Sequence, residues 1–339
     1  MTETTSTERA GLLEMASNVA RHELLPRASA LDAGDLPASK ECWDQLAELG
    51  LDRALLPEEH GGDLSVPDLL ATIEELAVGD GGVALCVLLS NTALVTLTPE
   101  ELAAVPERAR WALVPVRGGV EMTFADGALT GRVESALGAY GADGLVLLLD
   151  GAQPTSIALA SDTPGLELER DAAQMGLCAA PAGSIAITGI AVAPATTAKD
   201  GADALSLLCA GTAAIARGIS RRANAMAFEY AEARRQGGVA IIEHDAVSDM
   251  LAAMAVRLAG PPPSAADWEQ ALAAKVAATD DAVASTTDAV QVFGGTGYMC
   301  ETGIEKLMRD AKYCQLFPEP NWLTNDKLMK HQRACRGTS

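Results

Sequence analysis

Residues 183–235 read GSIAITGIAVAPATTAKDGADALSLLCAGTAAIARGISRRANAMAFEYAEARR, and the pattern changes once along them. Up to about 193 the apolar residues come in short, near-alternating runs, the mark of a strand. After Lys199 they recur at helical spacing, with Ala, Leu and Ile on one face and Arg, Glu and Asn on the other. The switch separates a sheet-forming middle from a helical C-terminal part.

Upstream, VEMTF, GLVLLL and TSIALA are further short runs separated by Gly, Asp and Pro, so 111–196 reads as antiparallel strands. Before 111 the spacing is helical again: Leu12, Leu13, Ala16, Val19 and Ala20 share a face, and Pro67 opens PDLLATIEELA at its first turn. Downstream, helices are expected over 202–235, 241–259, 264–291 and 300–315, with GPPPSA at 260–265 as a break. The fold class expected is α+β: an N-terminal helical domain (1–110), a middle antiparallel β-domain (111–197) and a C-terminal four-helix bundle (198–339).

Composition narrows the function. Of the 339 residues 49% are apolar and only 4% aromatic, so the core is built from Ala, Leu, Val and Ile in closely packed helices. Lys and Arg number 25 against 46 Asp and Glu, a net charge of −21 that repels phosphate backbones and anionic headgroups. Nucleic-acid and membrane-surface partners are not expected. No apolar run approaches the ~20 residues of a membrane span, and the polar N-terminus carries no signal-peptide core. Seven scattered cysteines with no CxxC pair read as reduced thiols of a cytoplasmic protein. Four histidines without HExxH or a Cys/His cluster give no metal site. GxGxxG and Walker loops are absent, so nicotinamide and triphosphate scaffolds are not indicated.

Two segments offer ligand chemistry on residue type alone. The Gly294–Gly295 pair in QVFGGTGY would let backbone amides approach a phosphate or ribose oxygen, or would serve as a plain helix C-terminal turn. Arg234 carries a donor fork suited to a pyrophosphate, or is a solvated residue in a helix's last turn.

QVFGGTGYMCETGIEKLMRDAK (291–312) resembles the QxxGGxGY…RDAK signature of the acyl-CoA dehydrogenase flavoproteins. ARRQGGVAIIEHDAVSDMLAAMA (233–255) resembles their RxxFG…EHQA segment, and PEEHGG (57–62), EELAVGDGGVAL (74–85) and MGLCAAPAGSIAI (175–187) are weaker matches. The resemblance implies FAD held at its adenine-dinucleotide end by Arg234, Gln236, His244, Gln291, Gly294 and Gly295. The flavin ring would lie in a neighbouring subunit. It also implies α,β-dehydrogenation of an acyl-CoA or another acyl thioester, an oligomer, and an electron-transfer flavoprotein as partner.

The chemistry-bearing positions depart from the family. Its base is a Glu after RDAK, in a dry pocket where desolvation makes a carboxylate more basic. Aligned without a gap, that position is Pro318, and Glu319, between two prolines, is the nearby candidate. An alternative base position on an earlier helix corresponds to Leu208, and a substrate-holding Arg to Cys209. Val114–Pro115 stand where the flavin-contacting Thr-Glu-Pro belongs, RVESALGAY (132–140) replaces a Trp- and Thr-bearing strand, and Gly237 and Asp245 replace Phe and Gln. Arg221 and Arg222 are further candidates for the CoA phosphates, or a solvated helix face. This uneven loss resembles the smaller subunit of heteromeric acyl-CoA dehydrogenases. The expectation is one subunit of a homomeric or heteromeric dehydrogenase of lipid metabolism; the alternative is a non-catalytic partner subunit lacking the base.

Overall fold

In the computed structural model the described residues are 6–116, 122–149, 155–171, 173–191 and 201–337. Helices come first. The helix α1 (Ser6–Val19) passes through a π turn and a 3-10 turn at Pro26 into α2 (Ala28–Asp32) and α3 (Leu36–Glu48), whose N-cap Asp35 accepts from the Ala38 amide. In α4 (Val66–Gly79) Ser65 caps the helix and Pro67 sits in its first turn, where its missing N–H costs nothing. Asp80 then caps α5 (Gly81–Leu94), accepting from the Gly82 and Val83 amides at 2.9 Å each. Every residue of α5 is buried, and its polar Asn91 and Thr92 are hydrogen-bonded to backbone carbonyls. A capping box of Thr98 and Glu101 starts α6 (Pro99–Ala103).

Seven strands follow: β1 (Trp111–Val116), β2 (Met122–Ala125), β3 (Ala128–Ala136), β4 (Gly144–Leu149), β5 (Thr155–Ala160), β6 (Leu166–Arg170) and β7 (Gly183–Ala191). They form two sheets, ordered β1-β4-β5 and β2-β3-β7-β6. All pairings are antiparallel except β1 with β4, which run parallel in register from Trp111↔Gly144 to Val116↔Leu149. Both strands of that pair are apolar almost throughout and buried on both faces, the pattern parallel strands need. Val114, Leu145, Leu147, Ile185 and Ile187 belong to a core of their own, apart from the main helical core. The expected boundary at 197/198 and the end of the GSIAITGIAVA run lie outside the described residues.

The C-terminal part is α7 (Gly201–Ala233), a hairpin of β8 (Arg235–Gln236) and β9 (Val239–Ala240), α8 (Asp245–Leu258), α9 (Trp268–Phe293), α10 (Ile304–Leu316) and α11 (Asn321–Gly337). Four of these helices meet the sequence expectation; α11 is additional. At 33 residues α7 spans about 50 Å and packs against α4, α5 and α9. It comes close enough to α4 that a Cβ at Gly218 would collide with the Glu74 carbonyl.

The RDAK stretch ties the parts together. Asp310 accepts from the Leu177 amide (2.6 Å) and from Lys306 (2.5 Å), and Lys306 also reaches Asp80 at 3.0 Å. Arg309 binds Asp32 at 2.7 Å and donates to the Met175 carbonyl at 2.5 Å. One helix turn thus joins the N-terminal helices, the middle segment and the bundle.

Candidate functional site

Two places gather the residues singled out above. The first is an end of the bundle. Tyr230, one turn before the end of α7, stacks on Phe293 at the end of α9, with ring centroids 4.2 Å apart, and its hydroxyl lies 3.4 Å from Thr296 Oγ1. That stack sets the hairpin after α7 beside the GGTGY turn after α9. Arg234 continues the helix backbone, donating to the Tyr230 carbonyl and accepting from the Ile241 amide, both at 2.8 Å. The hairpin reverses at Gly237 and Gly238, both with positive φ (64° and 92°). His244 Nε2 lies 3.2 Å from the Gln236 carbonyl, which fixes the hairpin to the start of α8.

The glycines of the GGTGY turn have separate reasons. Gly294 has φ 61° and ψ −138°, backbone that only glycine adopts without strain, and its amide closes the last turn of α9. Gly297 is a packing glycine: a Cβ there would lie 2.5 Å from the Val290 carbonyl oxygen. Gly295 has neither constraint, because a Cβ on it meets nothing within 4 Å. Its neighbourhood is open space. The structure therefore brings Arg234, Gln236 and His244 together and sets them beside Gly294 and Gly295, with Gln291 one turn back. Apart from the half-buried Gly294, all of these residues are exposed.

The second place is a cavity of 300 Å³ between the middle sheets and the end of α10. Leu113, Val114 and Pro115 line it from β1, an edge strand of its sheet among the described residues. Opposite are Val133–Ala136 of β3 and the following Leu137, where the pairing to β7 slips by a bulge and Ser135 takes φ 53°. Tyr313, Leu316, Phe317 and Pro318 close the remaining side. This is where the stretches that the resemblance sets against a flavin meet the position it assigns to a base. Of the residues lining it, only Glu134 is acidic. Hydrogen bonds from Arg132 and from Ser184 (2.5 Å) hold its carboxyl below the usual range, which makes it a poor proton acceptor.

Glu319, the candidate base, is not in that lining. Its side chain turns inward with no exposed surface: Oε2 pairs with Lys327 Nζ at 2.8 Å and Oε1 accepts from Thr324 at 3.1 Å. Lys275, itself fully buried in α9, donates to the Glu319 carbonyl at 2.6 Å and to Asn321 Oδ1 at 2.6 Å. The Glu319 carboxylate is thus an anchor for the loop that presents Pro318. Leu208 and Cys209 are fully buried among the helices. Arg221 is ion-paired to Glu75 (2.6 Å) and Glu74 (3.3 Å) on α4, so its fork is already engaged by carboxylates. Lys275, Thr324 and Lys327 escaped the sequence reading. A buried lysine on an otherwise Ala-rich helix face was the available signal for the first.

A helical–sheet–helical order, with an edge strand and a bundle end arranged this way, defines an acyl-CoA dehydrogenase-like fold. The chain belongs to the acyl-CoA dehydrogenase family: the model of its N-terminal domain matches residues 6–105 and that of its C-terminal domain residues 203–317. Among curated relatives it is 28% identical to cyclohex-1-ene-1-carbonyl-CoA dehydrogenase of Geobacter metallireducens over 359 residues, covering 92% of this chain and 94% of that protein. Butyryl-CoA dehydrogenase from Megasphaera elsdenii has the same fold, with a TM-score of 0.84 at 23% identity over 98% of this chain and 100% of that one. PigA with FAD and proline gives 0.83 at 20% identity, over 98% and 99%. No helix among the described residues is long and apolar enough to cross a membrane.

Proposed function

We propose that this chain is a subunit of a flavin-dependent acyl-CoA dehydrogenase, and that it contributes to cofactor binding while another subunit contributes the base. One observation carries the reading. A proline, not a carboxylate, forms the wall of the 300 Å³ cavity at the base position, and Glu319 is held in an interior ion pair with Lys327. The adenine-dinucleotide end is the better preserved. Arg234 would meet the pyrophosphate, Gly294 and Gly295 would let backbone approach, and Gln236, His244 and Gln291 would surround them. Bound FAD would supply the acceptor for the hydride leaving the β-carbon of an acyl thioester.

Within that assembly this chain's own residues hold and orient. The exposure of this end, Gly294 apart, is what a cofactor shared between subunits requires, because such a site is completed by the neighbour. Relatives named as acting on acyl-CoA thioesters support that substrate class, and an electron-transfer flavoprotein is the proposed electron acceptor. A purely structural partner subunit is the second reading, favoured by the same proline.

The test is the visible spectrum of the chain purified alone and after FAD is added, followed by dye reduction with acyl-CoA. A colourless, inactive chain that gains flavin and turnover only with a base-bearing family subunit is the expected result. Flavin bound stoichiometrically by the chain alone, with acyl-CoA-dependent dye reduction, would overturn the division of labour. Complexes that form with no change in flavin content would favour the structural reading.

A further inference from the structure

A second, larger cavity lies elsewhere in the molecule and shares no lining residue with the 300 Å³ one. It measures 510 Å³ and opens between α3, the first turns of α5 and the loops leading into β1, β4 and β7. Its inner wall is apolar: Trp43, Val83 and Ala179 are at most 5% exposed. The size is that of an ordinary small-molecule site, and the junction between two layers of structure is where such sites occur.

The cations around it are not all ion-paired. Lys40, Arg108 and Arg110 line the cavity, against Asp44 and Asp143. Lys40 is paired with Asp44 at 2.8 Å and Arg108 with Glu48 at 3.0 Å. Arg110 differs. Its guanidinium donates to the Tyr140 carbonyl (2.8 Å), Cys86 Sγ (3.3 Å) and the Gly138 carbonyl (3.4 Å), all neutral acceptors. Asp143 accepts from the Arg110 backbone amide at 2.7 Å, and among the described residues no carboxylate pairs with the guanidinium. A half-buried cation beside apolar walls gains by acquiring a counter-ion, more so with neutral partners only.

The backbone here is also fixed at some cost. Arg108 has φ 61°, unusual for a residue with a side chain, and its carbonyl accepts from Trp43 Nε1 at 2.9 Å. Strain of this kind persists where the surroundings impose it, often at ligand clamps. The same bond ties the aromatic wall to the loop that carries Arg110.

We propose that this cavity binds a small amphipathic carboxylate, with its hydrocarbon body on Trp43, Val83 and Ala179 and its anionic group on the Arg110 guanidinium. Among the described residues, Arg110 is the one cation of the lining with no carboxylate on its fork, and the nearby Asp44 and Asp143 favour a monoanion, a carboxylate over a phosphate dianion. Nothing in this site depends on flavin or on the dehydrogenase reading.

The full chain is titrated with benzoate, and with benzamide as a neutral partner of the same shape, by calorimetry and by Trp43 emission. Benzoate should bind saturably, and benzamide at least about tenfold more weakly. Arg110→Gln should abolish that preference, and Trp43→Phe should remove the emission change while leaving the heat. Ala179→Leu should block both probes by filling the inner wall. Equal binding of the two probes by the unaltered chain, or no saturable binding of benzoate, overturns the proposal whatever the variants do. Preference unchanged in a folded Arg110→Gln variant would overturn it equally.

Discussion

Lys327 Nζ lies 2.8 Å from Glu319 Oε2, and the burial of the two partners is unequal: the Glu side chain has no exposed surface while the Lys keeps 26% of its own. The pair joins the first turns of α11 to the loop after α10. Removing the lysine would take an ion-pair partner from an interior carboxylate, whereas removing the carboxylate leaves a lysine that can reach water. Lys327→Met should therefore destabilise the chain by about 3 kcal/mol, and Glu319→Gln by less. The double substitution should recover part of the Lys327→Met loss. Urea denaturation of the three variants checks the order; a larger loss in Glu319→Gln than in Lys327→Met would contradict it.

The buried cluster of Lys306, Asp310 and Asp80 should write itself into the pH dependence of stability. Burial works to lower the Lys306 ammonium, yet Asp310 and Asp80 lift it above the usual lysine range. A lysine raised in the folded state stabilises fully below its unfolded value near 10.5, and that contribution is lost as pH rises beyond it. Lys306→Met should remove this alkaline limb. It should also leave two buried carboxylates facing each other, costing about 3–5 kcal/mol at neutral pH. That cost should shrink in acid, because burial already raises Asp310 and protonation then relieves the repulsion. Thermal melts between acid and alkaline pH would show the difference narrowing at the acid end.

The three glycines of the GGTGY turn separate folding from binding. Gly297→Ala puts a methyl against the Val290 carbonyl and Gly294→Ala forces φ 61°, so each should cost about 1–3 kcal/mol. Gly295→Ala meets nothing and should change stability by less than about 0.5 kcal/mol. If the open space above Gly295 is where the dinucleotide lies, that harmless substitution should still weaken FAD binding in the assembled enzyme. Equal flavin retention by Gly295→Ala and the unaltered chain would remove the glycine from the cofactor site.

The cysteines make a simpler case. Burial pushes the Cys42 and Cys178 thiols up to about 11 and Cys314 to about 12, and raises Cys86 as well. Attack requires the thiolate, so iodoacetamide at neutral pH should label the exposed Cys300 and Cys335 first. All seven should react only after denaturation. Peptide mapping of the native, alkylated chain checks this, and rapid labelling of Cys42 or Cys314 would contradict their burial.

Much of the fold could be read because its signals are local. Pro67 opens a helix in the sequence and sits in the first turn of α4 in the structure, and the alternation around Ile185, Ile187 and Thr188 became part of the in–out pattern of β7. The parallel pairing of β1 with β4 was not foreseen, since it joins segments over thirty residues apart. WALVPV and GLVLLL did carry the hint, being apolar on both faces. The base position failed for the same reason in side-chain form. Where Glu319 points is decided by Lys327 and Thr324 on α11, a helix with few apolar positions to announce it, and by Lys275 from within α9.

Arg234 gives the decisive separation between a cofactor role and a solvated helix end. Its backbone links Tyr230 to Ile241, which any residue there could do, while its side chain is exposed. Arg234→Lys keeps the charge and loses the two-pronged fork; Arg234→Met loses both. If the side chain meets a pyrophosphate, flavin affinity of the assembled enzyme should fall by about tenfold or more in Arg234→Met and by an intermediate factor in Arg234→Lys, since hydrogen bonds to charged groups are worth about 1.5–3 kcal/mol. Melting temperature without flavin should stay put in both, because an exposed side chain at a helix end carries little of the fold. Affinities that follow the melting temperature instead would make Arg234 a structural residue, and identical affinities in all three proteins would make it a solvated one.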